Sequence, residues 1–283
     1  MISSSKIFLD GGDPEESRKV KELLGFLDGQ TTNPTLISRN PQIKARLERG
    51  EKLSNAEAYK FYRGVVEEIA QVTSGPISIE VYADRETKAE EMLAQGREMF
   101  TWISNGNVKY PTTHEGLEAA EQSVKEGIRV NLTLCFSQEQ AAAVYSATRG
   151  TKEPAFVSPF IGRLDDQGEN GMDLIKNILE MYKGGDGHVQ TLTASVRSVD
   201  HLLYAVHLGS PLITAPFKIL EEWAKMGKPL PPEDFKYDAA DLKPILYKET
   251  PLDKPWASYD IHHDLTDTGI EKFSADWNAI VAS

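Results

Sequence analysis

Short apolar or β-branched runs alternate with longer amphipathic stretches along almost the whole chain. The short runs cover 6–10, 29–33, 77–82, 107–110, 128–134, 155–158, 189–194 and 211–214, each bounded by Gly, Pro, Asn or Asp, as buried parallel strands should be. Between them a helical period predicts helices over 15–24, 56–72, 88–102, 115–125, 138–147, 173–182, 199–207 and 217–226. Ser54 with Glu57, and Ser137 with Gln140, have the spacing of a capping box, and Asp84 with Thr87 marks another helix start. Gly209 reads as a helix stop.

Eight strand–helix units in 283 residues predict an α/β fold, a single (β/α)8 TIM barrel spanning 1–283. Such barrels use about 250 residues. The rival doubly wound sheet is disfavoured because no G-x-G-x-x-G run follows the first strand. No fixed-period repeat appears. The stretch 227–258 holds six prolines and reads as an extended surface arm, after which helical character returns over 266–281.

Composition narrows the function classes. Hydrophobic residues make up 40% and charged residues 26%, which excludes disordered, collagen-like and disulfide-scaffold chains. Acidic residues outnumber basic ones, 43 to 31, for a net charge of -12, so nucleic acid is not an expected partner. A few local arginines can still reverse the field in one pocket. The single Cys135 can form neither an internal disulfide nor a thiolate cluster and fits a reducing, cytoplasmic setting. With no long apolar leader run and no membrane-length apolar stretch, a soluble protein without a membrane partner is expected. A homo-oligomer stays open, since the arm could wrap its own barrel or reach a neighbour.

Chemistry in such a barrel belongs at the carboxyl ends of the strands. There the sequence places Asp10, Asn33, Glu80, Lys109, Asn131 with Thr133, Ser158, and Ser195 with Arg197. Side chains alternate along a strand, so Asn131 and Thr133 share one face, and Ser195 and Arg197 would do so if their strand extends that far. Inward polar groups on apolar strands must bond one another, water or a ligand. Lys109 is the decisive member. Burial disfavours an ammonium, the condition for an amine nucleophile, and two carboxylates beside it suit Schiff-base chemistry with proton shuttling. Glu80 could instead simply neutralise Lys109, and Asn33 in Thr31-Thr32-Asn33-Pro34 could be only a helix-start device. Arg163 and Arg197 follow the sixth and seventh strands, and their planar forks suit a phosphate, although Asp165 and Asp166 are ready partners for Arg163.

Other candidates are weaker. Adjacent side chains in His262-His263-Asp264 diverge and no third ligand is evident, so no metal is expected. His201 and His207, six apart, do not share a helix face. Cys135 has the opposite parity to Thr133 and reads as a packed core thiol.

The strand-end motifs resemble the transaldolase family, with its fructose 6-phosphate aldolase relatives. They are Phe8-Leu-Asp10, Thr31-Thr-Asn-Pro34, Ser78-Ile-Glu-Val81, Val108-Lys-Tyr-Pro-Thr-Thr113, Asn131-Leu-Thr-Leu-Cys-Phe-Ser137, Val157-Ser-Pro-Phe-Ile-Gly-Arg163 and Ala194-Ser-Val-Arg197. Thr214-Ala-Pro-Phe-Lys218 and the tail Asp264-Leu-Thr-Asp-Thr-Gly-Ile-Glu-Lys-Phe273 continue the match, and only the proline-rich arm falls outside it. The resemblance implies that Lys109 is the Schiff-base lysine, Asp10 the acid/base, and Glu80 and Thr133 the holders of a proton-shuttling water. Asn33, Asn131, Ser158 and Phe160 would meet the dihydroxyacetone fragment, and Arg163, Ser195 and Arg197 the substrate phosphate. It implies sugar phosphates as ligands and no cofactor. Transaldolases resemble this chain in having Glu at 80 and Phe at 160, where the aldolases tend to carry Gln and Tyr. The expected activity is transfer of a dihydroxyacetone unit from fructose 6-phosphate or sedoheptulose 7-phosphate to glyceraldehyde 3-phosphate or erythrose 4-phosphate, as in the pentose phosphate pathway. The rivals are an aldolase releasing free dihydroxyacetone and a non-catalytic sugar-phosphate-binding barrel. Gly11 after the acid and Tyr110 after the lysine depart from the family pattern and bear on substrate preference.

Overall fold

The structure, a computed structural model, describes residues 5–282. Residues 1–4 and 283, part of the expected 1–283 span, lie outside the described residues. Eight parallel strands close into a barrel in chain order. They are β1 (Lys6–Asp10), β2 (Gly29–Thr31), β3 (Ile77–Glu80), β4 (Gly106–Pro111), β5 (Val130–Cys135), β6 (Ala155–Pro159), β7 (Val189–Thr193) and β8 (Leu212–Ala215). After β1 comes α1 (Pro14–Leu24); α2 (Pro34–Ser38), α3 (Pro41–Glu48) and α4 (Asn55–Val72) follow β2. Then come α5 (Ala89–Phe100), α6 (His114–Lys125) and α7 (Gln138–Ala147), one after each of β3, β4 and β5. α8 (Ile161–Asp165) and α9 (Gly171–Tyr182) follow β6, α10 (Val199–His207) follows β7, α11 (Phe217–Lys225) follows β8, and α12 (Asp264–Ile280) ends the chain. The (β/α)8 TIM barrel expected from the sequence is the fold.

Strand alternation builds two layers. Outward Ile7 and Leu9 pack with Val20 and Leu24 of α1 and Ile219 and Leu220 of α11. Inward Phe8 meets Phe156 edge-on in the barrel centre, ring centroids 6.5 Å apart. Gly29 makes room for that ring, since a Cβ there would lie 2.5 Å from Phe8 Cζ. Phe8 and Phe156 each stand two residues before an inward polar group, Asp10 and Ser158, and so form an apolar floor beneath a polar layer.

Local rules set the helix starts. Ser54 and Glu57 complete their capping box on α4. Ser137 caps α7, but Gln140 does not return the bond to it. Gln140 Oε1 accepts the Phe136 N–H, and its amide donates to Ile261 O and Thr266 Oγ1. Asp84 closes a loop turn, accepting from the Glu86 and Thr87 N–H groups, and the helix begins only at Ala89. Three short helices, α2, α3 and α8, were not anticipated, because eight residues or fewer carry little readable period.

The arm at 227–258 wraps its own barrel. Phe235 and Tyr237 lie beside Tyr204 of α10, Lys243 and Ile245 bond the start and middle of α9, and Lys248 exchanges two hydrogen bonds with Gln138 of α7. Trp256 then stacks edge-on against His114 of α6. Beyond the arm, α12 crosses the carboxyl mouth of the barrel. It opens at Asp264 because His263 Nδ1 accepts the Leu265 N–H. Thr266 holds Leu134 O, Trp277 packs on Tyr59 and Tyr62, and Asp276 accepts the Thr35 hydroxyl. No helix among the described residues is long and apolar enough to cross a membrane.

Candidate active site

Parallel register places Glu80, Lys109 and Asn131 side by side on β3, β4 and β5. Lys109 is 2% exposed and Glu80 4%, and Lys109 Nζ stands 2.9 Å from Glu80 Oε2. Lys109 Nζ also donates to Thr32 O at 3.3 Å. Apart from the lysine, Glu80 Oε2 has no hydrogen-bond partner, and neither does Thr133 Oγ1 on the far side of β4. Glu80 Oε2, bonded only to the lysine, and Thr133 Oγ1, with no partner, both have capacity for a further polar group. Burial pushes the Glu80 carboxyl up, opposed by the Lys109 charge.

Asp10 lines the open side of the same layer. It is enclosed by the barrel wall yet keeps part of its surface towards the mouth. Burial raises its pKa, while the charge of Lys109 and the 2.6 Å bond from Thr31 Oγ1 pull it down. Thr31 Oγ1 also meets Thr214 Oγ1 at 2.7 Å, tying β2 to β8 around Asp10.

Below and beside the lysine, Asn131 Nδ2 donates to Ser78 Oγ at 2.9 Å, and Ser158 Oγ donates to Asn131 Oδ1 at 2.8 Å. Asn33 lies just beyond β2, its Oδ1 accepting the Leu36 N–H to cap α2, which leaves its amide NH2 free to donate to a ligand. The Phe160 ring lies 5.9 Å from Lys109 Nζ.

Arg163, on α8, enters the site between two aromatic faces. Its guanidinium carbon is 5.2 Å from the centroids of both Phe160 and Phe273. A Cβ at Gly269 would lie 2.7 Å from Arg163 Nη1 and 2.6 Å from Leu134 Cδ2, so a side chain there would displace the guanidinium that α12 passes over. Burial holds the Arg163 pKa below its ordinary value, with Glu80 opposing. Neither Asp165 nor Asp166 pairs with it; Asp165 faces His201 at 3.0 Å and Asp166 holds Arg197 Nη2 at 2.9 Å.

The expected common face for Ser195 and Arg197 is not formed. β7 stops at Thr193, and Ser195 adopts φ 60, which breaks strand alternation. Arg197 lies half-exposed at the rim. Gly162 permits the approach of this loop, donating its N–H to Ser195 O at 3.1 Å where a Cβ would clash with Ser195 O at 2.4 Å. Arg197 remains close enough that its charge helps to hold the Arg163 pKa down.

Residue-by-residue reading missed Thr31, Ser78 and Thr214, all small hydroxyls in the inward layer. Ser78 was findable, two residues before Glu80 on the same strand face. Tyr62 was not: it comes from α4, yet its hydroxyl accepts the Glu80 N–H at 2.9 Å and bonds Thr32 Oγ1 at 2.5 Å. Cys135 is fully buried with its thiol pushed up to about 12. His262 is exposed beside Asp264 and Asp267, and no group of three or more metal-type ligands gathers among the described residues.

A family model described as Transaldolase/Fructose-6-phosphate aldolase matches residues 7–283. A protein named "Probable transaldolase" from Herpetosiphon aurantiacus is 35% identical over 277 residues, covering 97% of this chain and 96% of the relative. Proteins of the same name from Dehalococcoides mccartyi and Lactiplantibacillus plantarum are each 35% identical, over 97% and 98% of this chain and 99% of each relative.

Proposed function

We propose, from the premise that the chain belongs to the transaldolase/fructose-6-phosphate aldolase family, that it is a transaldolase moving a dihydroxyacetone unit between sugar phosphates through a Schiff base on Lys109. The observation that carries this reading is an amine almost wholly removed from water, 2.9 Å from one carboxyl and electrostatically coupled to a second. A lone structural ammonium needs only one counter-charge.

The free amine of Lys109 adds to the C2 carbonyl of fructose 6-phosphate or sedoheptulose 7-phosphate, and its proton can rest on a neighbouring carboxyl, both of which burial biases towards the protonated form. Loss of water from the carbinolamine gives a protonated imine; Glu80 Oε2, bonded only to the lysine, and the unpartnered Thr133 Oγ1 can hold that water. Asp10 then takes the C4 hydroxyl proton, the C3–C4 bond breaks, and its electrons flow into the imine to leave an enamine. The aldose phosphate departs. Asn33, Asn131 and Ser158 hold the three-carbon fragment, and the tethered enamine attacks glyceraldehyde 3-phosphate or erythrose 4-phosphate when it arrives. Arg163, Ser195 and Arg197 take the phosphate of either sugar. No step calls for a metal or organic cofactor, and a cytoplasmic place in sugar-phosphate interconversion follows.

Group transfer is favoured over release of free dihydroxyacetone by Phe160. Its ring faces Lys109 and Arg163 with no hydroxyl to add to the water held by Glu80. Borohydride reduction in the presence of fructose 6-phosphate, followed by mass spectrometry, should fix a three-carbon adduct on Lys109. No adduct on that residue overturns the reading. Rapid consumption of fructose 6-phosphate without an aldehyde acceptor would instead favour the aldolase.

A further inference from the structure

Backbone bonds from Ala194 and to Ala194 and Ser195 hold the first half of the loop proposed to grip the phosphate, but not its Arg197 end. β7 has ended, Ser195 is in the left-handed region, and the Arg197 side chain is 52% exposed with an equally open carboxylate for company. The Arg197 N–H has no backbone acceptor; it donates to His201 Nδ1 at 3.3 Å. That imidazole is only 6% exposed. Because Nδ1 accepts, the proton of the neutral ring belongs on Nε2, which faces Tyr237 Oη at 2.8 Å and Asp165 Oδ2 at 3.0 Å. Asp165 is itself fixed, its Oδ1 accepting the Gly171 N–H at 2.9 Å. Backbone, carboxylate, imidazole and loop amide thus form one continuous chain across three elements.

Resting on the transaldolase reading, we infer that His201 is the positioning residue of the anion loop at 194–197, oriented by Asp165 and by Tyr237 from the proline-rich arm. His201 touches neither sugar nor lysine in this arrangement; it acts on the phosphate through the backbone of Arg197. Val196, 1% exposed and packed in the outer core, anchors the middle of the loop, so His201 sets the direction of the loop's last residue rather than its existence. The arm contributes because Tyr237 stacks on Tyr204 of α10 at 4.8 Å and 7°, a rigid platform one turn from His201. A segment lying outside the family motifs thereby reaches the phosphate end of the site.

The test uses the full chain with His201→Ala, His201→Asn and Tyr237→Phe. Binding of inorganic phosphate is read by calorimetry, which needs no turnover. Kinetics compare fructose 6-phosphate with unphosphorylated fructose. His201→Ala should weaken phosphate binding and raise KM for fructose 6-phosphate by about tenfold, equivalent to about 1.4 kcal/mol, with kcat moving less and KM for fructose unmoved. His201→Asn keeps an acceptor near the Nδ1 position and should recover most of the affinity, while Tyr237→Phe should lose a few-fold. The inference is overturned if folded His201→Ala binds phosphate as the parent does, if both sugars suffer alike, or if the asparagine variant gives no recovery. Should the alanine variant not fold, unchanged phosphate affinity in Tyr237→Phe, or a His201→Asn variant no better than tenfold weakened, overturns it equally. A missing Lys109 adduct with these phosphate effects intact would sink the transaldolase reading and leave the positioning role standing.

Discussion

Replacing Lys109 with methionine keeps the stem volume and removes the charge, and the structure gives the size of the consequence. At 2.9 Å, with an effective dielectric of about 20, the Lys109–Glu80 attraction is about 6 kcal/mol, most of it offset by desolvation of the two ions. Breaking such a pair from one side costs about 3–5 kcal/mol because the remaining charge is left alone. Glu80 has an escape: it can hold a proton in the folded state. Relative to an unfolded carboxyl at its ordinary value of 4.5, that escape costs about 1.4 kcal/mol for each pH unit above 4.5. The ceiling on the Glu80 penalty is therefore about 1.4 kcal/mol near pH 5.5 and about 3.4 kcal/mol near pH 7. The sign follows from proton counting. Burial raises Glu80 in the parent as well, but the Lys109 charge opposes that rise; without it the folded variant keeps the Glu80 proton to higher pH and loses more stability than the parent as pH rises above 4.5. Asp10 also loses the favourable Lys109 charge and adds to the same slope. Urea denaturation of parent and variant between pH 5 and 8 should show a gap that widens with pH. A gap that stays constant, or narrows towards pH 8, refutes the electrostatic account of the site.

Asp10→Asn should be more stable than the parent near neutral pH. Burial raises the Asp10 pKa, so the parent loses stability as pH rises above 3.8, and the neutral amide does not; a lower urea midpoint at pH 7 would contradict this, and activity should vanish in either case. Phe273→Ala removes a buried ring and one face of the Arg163 sandwich. It should cost about 3–5 kcal/mol in denaturant and raise KM for phosphorylated substrates, whereas a variant of unchanged KM would detach α12 from phosphate binding. Gly162→Ala puts a methyl 2.4 Å from Ser195 O and 2.5 Å from Arg197 Nε. The expected cost is about 1–3 kcal/mol with weakened phosphate binding by calorimetry, and native affinity would show that the loop is freer than its contacts imply.

The strands, the outer helices and the inward polar layer were legible because a two-residue period and a helical period stand out in runs this apolar. Asp10, Glu80, Lys109, Asn131 and Ser158 all lie inward because each has the same parity as its strand's core-facing residues. The exceptions have physical causes. Ser195 looks like a strand residue in Thr-Ala-Ser-Val-Arg, but its positive φ turns the chain, and no local propensity announces that for serine. Tyr62 and His201 reach the site from helix faces that pattern assigns simply to packing. Asp165 neighbours Arg163 in sequence yet points elsewhere, because two residues of α8 turn its side chain by about 200°, and Asp166, just past the helix, is taken by Arg197. The arm's course depends on a few individual hydrogen bonds to α7 and α9, which composition does not encode.

The order of strands round the barrel has a consequence for assembly. Glu80, Lys109, Asn131, Thr133 and Ser158 come from β3 to β6, four successive neighbours, whereas Asp10 comes from β1, whose partners are β2 and β8. The arc of β3 to β6 carries the amine and its first carboxylate, but not the base proposed for carbon–carbon cleavage. On the proposed mechanism, closing the ring around β1, which the paired hydroxyls of Thr31 on β2 and Thr214 on β8 bracket, is what adds bond cleavage to ketone capture.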